Sequence, residues 1–157
     1  MKPDIGISID NLENTTILLS AVLANEMTLY VKTRKFHWNL TGPSFMEMHK
    51  LFEEQYKLLE NFIDEVAERI GKLGGNTIGT MSEFNDLSTL EEAPGKYPSQ
   101  KEMLEELLAD HETMVRLLRN DVEKCETNYD DAGTADFLTS MMQEHETTSW
   151  ILRRYLM

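Results

Sequence analysis

Apolar residues recur every three to four positions in four long stretches of this chain, and this spacing restricts the fold more than any other feature. The stretches run from about residue 12 to 38, from 44 to 73, through 104–125, and from about 134 onward. Such a stripe lies along one side of an α-helix and has to be buried against another element. Four amphipathic helices bury their stripes most simply in an antiparallel bundle, so we expect an all-α fold.

Turn and capping residues mark the ends of these helices. Residues 39–43 separate the first helix from the second, glycines 74–75 end the second, and residues 128–133 separate the third from the fourth. Two Ser-x-x-Glu sequences, which begin at Ser44 and Ser99, predict capping boxes at the starts of helices two and three.

The connection between helices two and three is long, is rich in Gly, Thr, Ser and Pro, and has room for a short helix over residues 82–90. One long crossover of this kind lets helices two and three run parallel, which is the topology of ferritin-like bundles. We therefore expect one ferritin-like domain over residues 1–157, with a short extra helix in that connection.

The charge balance indicates what the surface can attract. Fifteen basic and 28 acidic residues give a formal net charge of −13, which repels nucleic acid and favours cations, although many soluble proteins are acidic for solubility alone. No apolar run is long enough for a membrane span and no signal peptide begins the chain. With Cys125 as its single cysteine, the chain is expected in the reducing cytoplasm.

Five residues of types that bind metals fall near the turn between the first two helices and along helix two. His37 and His49 flank the turn, so the hairpin brings them level, and Glu53 lies one helical turn beyond His49. Asp64 and Glu68 form an i,i+4 carboxylate pair further along the same helix.

The distance along helix two separates these residues into two groups. Asp64 lies fifteen residues after His49, which is roughly 22 Å of helix, so one chain cannot place both groups around one metal. A second copy of helix two running antiparallel would supply Asp64 and Glu68, which predicts a site completed across a two-fold interface. Imidazole with carboxylate suits iron, zinc or manganese, and the mixed set suits iron redox chemistry. The Glu-x-x-His pairs of ordinary di-iron bundles are absent from the sequence.

Each residue also has a purely structural interpretation. Histidines near helix ends often serve as caps or interface groups, and an Asp–Glu pair is usually a solvated helix face. His111 and His145 fall on apolar stripes, so we interpret them as hydrogen-bonded core or interface histidines. Trp38 is interpreted as a large packing residue that could donate electrons to a neighbouring metal, and the methionines as core filler.

Two segments of the sequence resemble the signatures of the Dps-like miniferritins. The first is HWNLTGPSFMEMHKLFE from His37 to Glu53, and the second is IDEVAERIGKLGG over residues 63–75. Met48 and Thr77 depart from the residues usual in the family, and neither is a candidate ligand. The helix layout extends the resemblance over nearly the whole chain.

The resemblance implies a twelve-subunit hollow shell that oxidises Fe(II), usually with hydrogen peroxide in preference to oxygen, and stores the ferric mineral inside. It further implies iron sites between two-fold related subunits. His37 and His49 would come from one subunit, Asp64 and Glu68 from its two-fold mate, and Glu53 would lie nearby.

Acidic residues line the three-fold pores through which such shells admit iron. Asp130, Asp131 and Asp136, near the start of helix four, are the candidates in this sequence. Asp is also common in loops and in the first turn of a helix, which is the structural alternative.

Many members of the family bind DNA, generally through a tail rich in Lys and Arg. Here only Lys2 is basic before helix one, and Arg153 and Arg154 are too few to offset the acidic surface. We expect protection of DNA by removal of iron and peroxide, without direct binding. Two alternatives remain, a DNA-binding nucleoid-protecting protein with secondary iron binding, and a structural or signalling bundle without metal.

Overall fold

The computed structural model describes residues 2–157, and over this range the chain forms five α-helices and no strand. They are α1 (Ile9–Asn39), α2 (Phe45–Lys72), α3 (Met81–Leu87), α4 (Gln100–Thr127) and α5 (Ala132–Tyr155). The predicted four long helices and the short helix between the second and third are confirmed, and their ends differ from the predicted ones by a few residues.

Contacts between α2 and α5 fix the direction in which these two helices run. The Phe62 ring lies 5.6 Å from the His145 ring, and Arg69 Nε donates to Thr134 Oγ1 at 3.0 Å. Residue numbers therefore rise along α2 while they fall along α5, so the pair is antiparallel. The tight hairpin makes α1 antiparallel to α2, and α1 consequently runs in the direction of α5.

Two ion pairs fix the direction of α4 against α5. Arg119 Nη2 lies 2.6 Å from Glu146 Oε1, and Arg153 Nη2 lies 2.7 Å from Glu112 Oε1. The helices are antiparallel, so α2 and α4 run the same way. The long connection is therefore the single crossover that the sequence predicts.

The crossover is held on α1 by one buried amide. Asn25 Oδ1 accepts hydrogen bonds from the Ser88 hydroxyl at 3.1 Å and from the Thr89 backbone N–H at 2.8 Å. At the other end of α3, Thr80 and Glu83 form a capping box that sequence inspection missed. The ends of α3 are thus fixed by side chains, although the helix has only 7 residues.

The two predicted capping boxes have different outcomes. Ser99 and Glu102 form the box at the start of α4, so that prediction is confirmed. The prediction of a capping box at Ser44 is wrong, because Ser44 has a left-handed backbone (φ 57°, ψ 29°) and its side chain makes no cap hydrogen bond. An N-cap residue normally has an extended backbone, which aims its side chain at the first turn. Glu47 instead accepts a hydrogen bond of 2.7 Å from the Tyr155 hydroxyl.

The apolar faces of the long helices meet in one core between them. Its largest fully buried side chains come from α1, α2, α4 and α5, and they are Phe52, Leu12, Leu19, Leu23, Leu29, Leu59, Ile70, Met103, Leu107, Met114, Leu118 and Leu138. Within residues 2–157, no helix has the length and apolar character that crossing a membrane requires.

Candidate metal centre

His37 and His49 bind each other's backbone across the α1–α2 hairpin. His37 Nδ1 lies 2.8 Å from the carbonyl oxygen of His49, and His49 Nδ1 lies 3.0 Å from the carbonyl oxygen of His37. A carbonyl oxygen only accepts, so each Nδ1 carries the hydrogen and donates it. In the neutral ring the lone pair is then on Nε2, which is how imidazole is presented to a metal in many protein sites.

Aromatic packing fixes the planes of these two rings. They stack with centroids 3.7 Å apart and planes 17° from parallel. Phe45 stacks against the His49 ring at 5.1 Å, and Tyr56 meets the His37 ring edge-on at 5.3 Å. Hydrogen bonds and packing together hold both imidazoles in place, as a metal site requires.

Glu53 lies one helical turn beyond His49 and belongs to the same group. Its carboxylate is paired with the Lys57 ammonium, which holds the pKa of the Glu53 carboxyl below its usual value. The positive charge that His37 and His49 can carry lowers this pKa further. The structure thus brings two of the five predicted ligands, His37 and His49, into direct contact, and Glu53 lies one helical turn further along α2.

Asp64 and Glu68 are exposed on α2 and lie away from the histidines of their own chain. The Glu68 carboxylate pairs with Lys72 at 3.2 Å. Among residues 2–157, no three His, Cys, Asp or Glu side chains converge closely enough to hold a metal ion. The group at the hairpin is therefore an incomplete ligand set within a single chain.

An aromatic cluster around Arg34 adjoins the histidines and was not predicted. The guanidinium carbon lies 5.4 Å from the Tyr30 ring centroid, 5.2 Å from that of Trp38 and 4.5 Å from that of Tyr56. Helical spacing could have revealed it, because Tyr30, Arg34 and Trp38 follow one another at four-residue intervals on α1. Tyr56 lies two turns after His49 on the facing helix α2. The interpretation of Trp38 as a packing residue is wrong within one chain, where its side chain is 64% exposed.

The three candidate pore residues lie at the start of α5 in different surroundings. Asp131 is buried, caps the helix by accepting from the Thr134 N–H at 2.8 Å, and pairs with Arg69 at 3.1 Å. Asp130, which has a left-handed backbone (φ 53°), and Asp136 are exposed. The Asp131 carboxylate is thus engaged in holding α5 to α2.

A second pair of histidines lies inside the bundle. His111 Nδ1 is 2.8 Å from His145 Nδ1, and His145 Nε2 is 2.8 Å from Glu26 Oε1. The three residues are at most 1% exposed, and burial lowers the pKa of His111 well below its ordinary value. The interpretation of both as hydrogen-bonded core histidines is confirmed. Sequence inspection missed Glu26, although it occupies an apolar-stripe position between Val22 and Leu29.

Comparisons with known proteins find similarity over nearly the whole chain. A family model described as a ferritin-like domain matches residues 17–157. An uncharacterized low temperature-induced protein of Nostoc sp. is 42% identical over 153 residues, which are 98% of this chain and 86% of that protein. DNA protection during starvation protein 2 of Bacillus anthracis is 36% identical over 140 residues, 88% of this chain and 94% of that one.

A solved structure extends the similarity to the whole fold. The DPS protein of Vibrio cholerae O1 is described as a member of a broad superfamily of ferritin-like diiron-carboxylate proteins. It matches with a TM-score of 0.93 and 27% identity, and the match covers 99% of this chain and 97% of that one.

Proposed function

We propose a function from the family to which this chain belongs, the Dps-like miniferritins of the ferritin-like family. The protein oxidises Fe(II) and stores Fe(III) inside a hollow shell of identical subunits. The predicted ferritin-like fold is confirmed, and the family supports iron storage in general terms. The oxidant, the number of subunits and the ligands are parts of the proposal.

The observation that carries this proposal is the incomplete ligand set at the hairpin. His37 and His49 have their Nδ1 atoms bound to the backbone, which leaves both Nε2 atoms for a metal, and Glu53 lies beside them. Two more oxygen ligands are needed for an iron site of the usual mixed kind. Asp64 and Glu68 of a two-fold related copy are the exposed carboxylates that would supply them.

Each residue has a defined part in the chemistry of the substrate iron. The imidazoles supply neutral nitrogen ligands in fixed orientations, and the carboxylates balance the positive charge of the iron. Two Fe(II) supply one electron each to one hydrogen peroxide, whose O–O bond breaks, and two protons complete two molecules of water. Placing two Fe(II) at one site therefore avoids the one-electron reaction that releases hydroxyl radical.

The rest of the assembly follows from the same proposal. Twelve copies form the shell, and Asp130 and Asp136 at the exposed start of α5 line the pores that admit iron. Asp131 is given no pore role, because it caps α5 and pairs with Arg69. The shell acts in the cytoplasm and protects DNA by removing iron and peroxide. Direct DNA binding is not proposed, because a net charge of −13 opposes it.

The test is the rate of Fe(II) oxidation, with peroxide and then with oxygen, in the wild type and in Asp64→Ala/Glu68→Ala. We expect a rate favoured by peroxide in the wild type and the buffer rate in the variant. Glu54→Ala/Glu65→Ala is the matched control, since it removes two exposed carboxylates of the same helix and should keep the wild-type rate. Equal rates in the wild type and the Asp64→Ala/Glu68→Ala variant would refute the proposal.

A further inference from the structure

Glu26, His145 and His111 form a buried hydrogen-bonded row whose two terminal polar atoms have no partner in the described residues. Glu26 Oε2 and His111 Nε2 are inaccessible to solvent and have no hydrogen-bond partner within residues 2–157. A buried polar atom without a partner is destabilising by about 1–3 kcal/mol. Two such atoms on three hydrogen-bonded residues indicate that these residues have a function beyond packing.

No arrangement of protons satisfies both nitrogens of His111. When the Glu26 carboxylate accepts from His145 Nε2–H, the neutral His145 ring has its lone pair on Nδ1. His111 Nδ1–H must then donate across the 2.8 Å contact, which leaves His111 Nε2 as a buried acceptor without a donor. With the hydrogen on Nε2 instead, two Nδ1 lone pairs face each other, which is unfavourable unless a cation lies between them.

We propose that one copper(I) ion binds between His111 Nδ1 and His145 Nδ1, with Glu26 as the carboxylate that orients His145. Two nitrogens that bind the same metal at about 2 Å each lie roughly 3–4 Å apart, so the 2.8 Å pair needs to open by about 1 Å or less. A carboxylate that accepts from the second nitrogen of a ligating histidine is a recurrent support of metal sites.

The charge of the site favours a monovalent ion. Glu26 is the carboxylate in direct contact with the histidine pair, and all three residues are buried. One ionised carboxylate and one copper(I) sum to zero, whereas a divalent ion would leave a net positive charge in the core. Uncompensated buried charge is strongly unfavourable, so the monovalent ion fits better.

The available ligands also favour copper(I) over iron. Only two imidazoles converge, which is too few for ions that need four to six ligands, and α2 presents the Phe62 ring to His145 rather than an oxygen ligand. Copper(I) accepts two or three ligands. Met114, three residues after His111, and Met141, four before His145, are buried on adjoining turns of the antiparallel helices. Thioethers select copper(I), and imidazole binds copper well.

The test is a copper(I) titration without oxygen, in competition with a coloured copper(I) chelator. The protein is the full chain with His37→Ala/His49→Ala, which removes the other histidine pair. Because the site is buried, copper(I) is added both to the folded protein and during refolding. We expect one copper per chain, and X-ray absorption that reports nitrogen neighbours with sulfur. Absence of protein-bound copper after both treatments would overturn the proposal.

Variants in the same background locate the ion. His145→Leu should abolish binding, whereas Met114→Leu/Met141→Leu, which conserves core volume, should fold normally and weaken binding by about tenfold. The methionine variant keeps the test decisive if His145→Leu fails to fold. Unchanged copper affinity in the folded methionine variant, with nitrogen-only X-ray absorption in its parent, would mean that the ion binds away from this part of the core and would overturn the proposal. Copper that survives in folded His145→Leu would refute the site itself.

Discussion

The two histidine pairs of this protein are built in opposite ways, and their ring centroids lie 3.7 Å apart at the hairpin and 5.0 Å apart in the core. At the hairpin, His37 and His49 turn Nδ1 to the backbone and stack their rings, with His37 buried and His49 partly exposed. In the core, His111 and His145 turn Nδ1 toward each other, and Glu26 holds the second nitrogen of His145. The atoms left for a ligand are therefore the Nε2 atoms in the first pair and the Nδ1 atoms in the second.

This difference separates the site that we propose to be shared between subunits from the one that we propose within a single chain. The hairpin pair is fixed by backbone carbonyls of two helices, and the remaining carboxylates on α2 are too far away to join it. The core pair is supported from α1, α4 and α5 of the same chain, with Phe62 of α2 alongside. On these proposals, another subunit completes the first site, and an ion alone completes the second.

Removal of Glu26 should have the largest effect on stability. Glu26→Ala leaves the buried Nε2–H of His145 without an acceptor, and losing a buried hydrogen bond to a charged group costs up to about 3 kcal/mol. His37→Ala/His49→Ala breaks two partly buried hydrogen bonds between neutral groups and should cost only about 1–2 kcal/mol. Urea denaturation of both variants measures this. Equal losses of unfolding free energy would mean that the Glu26–His145 contact stabilises the fold no more than the hairpin histidines do.

A change of pH should separate the two pairs next. Burial lowers the pKa of His111 in the folded state, so below about pH 6.5 the unfolded chain binds a proton that the folded chain does not. The associated stability is present above that pH and is lost as the pH falls, by up to about 1.4 kcal/mol per pH unit. His111→Leu should flatten this dependence between about pH 6.5 and 5, whereas His37→Ala/His49→Ala should keep it. The measurement is the unfolding free energy of the wild type and both variants at several pH values. The same slope of this free energy against pH in all three proteins would contradict the attribution of the pH dependence to His111.

The helix that begins at the hairpin should tolerate loss of its serine. Ser99→Ala removes a cap at the start of α4 and should cost about 1 kcal/mol, while Ser44→Ala at the start of α2 should cost almost nothing. Thermal unfolding of both variants measures the difference. A larger loss from Ser44→Ala would show that the hairpin depends on a contact of the Ser44 hydroxyl.

The fold was predictable because periodicity and topology depend on many residues at once. Four stripes, one long crossover and the glycines that end α2 determine the bundle, and no single residue decides it. The capping box at Ser44 failed because capping depends on one backbone conformation, which Gly42 and the neighbouring turn set. A four-residue pattern contains no information on that conformation. Thr80 and Glu83 carry the same pattern, and there it does form the box.

The candidate site was predictable only in part. Helical spacing placed His37 and His49 side by side, as their stacked rings show, whereas the grouping of Glu53 with them as a ligand stays a prediction. The Arg34 cluster was missed although it joins the two helices of one hairpin, whereas Glu26 was missed because its contact depends on packing between helices distant in sequence. An acidic residue on an apolar stripe was the available signal for Glu26, and its histidine partner lies 119 residues away.

Mixing two inactive variants tests the shared hairpin site most directly. His37→Ala/His49→Ala and Asp64→Ala/Glu68→Ala are unfolded together, refolded at equal amounts, and assayed for Fe(II) oxidation by peroxide. Each mixed pair of subunits has one intact site and one site lacking both halves, so random pairing should restore about a quarter of the wild-type rate. Each variant refolded alone should stay at the buffer rate. A mixture that also stays at the buffer rate, while size measurements show mixed assemblies, would contradict a site shared between subunits.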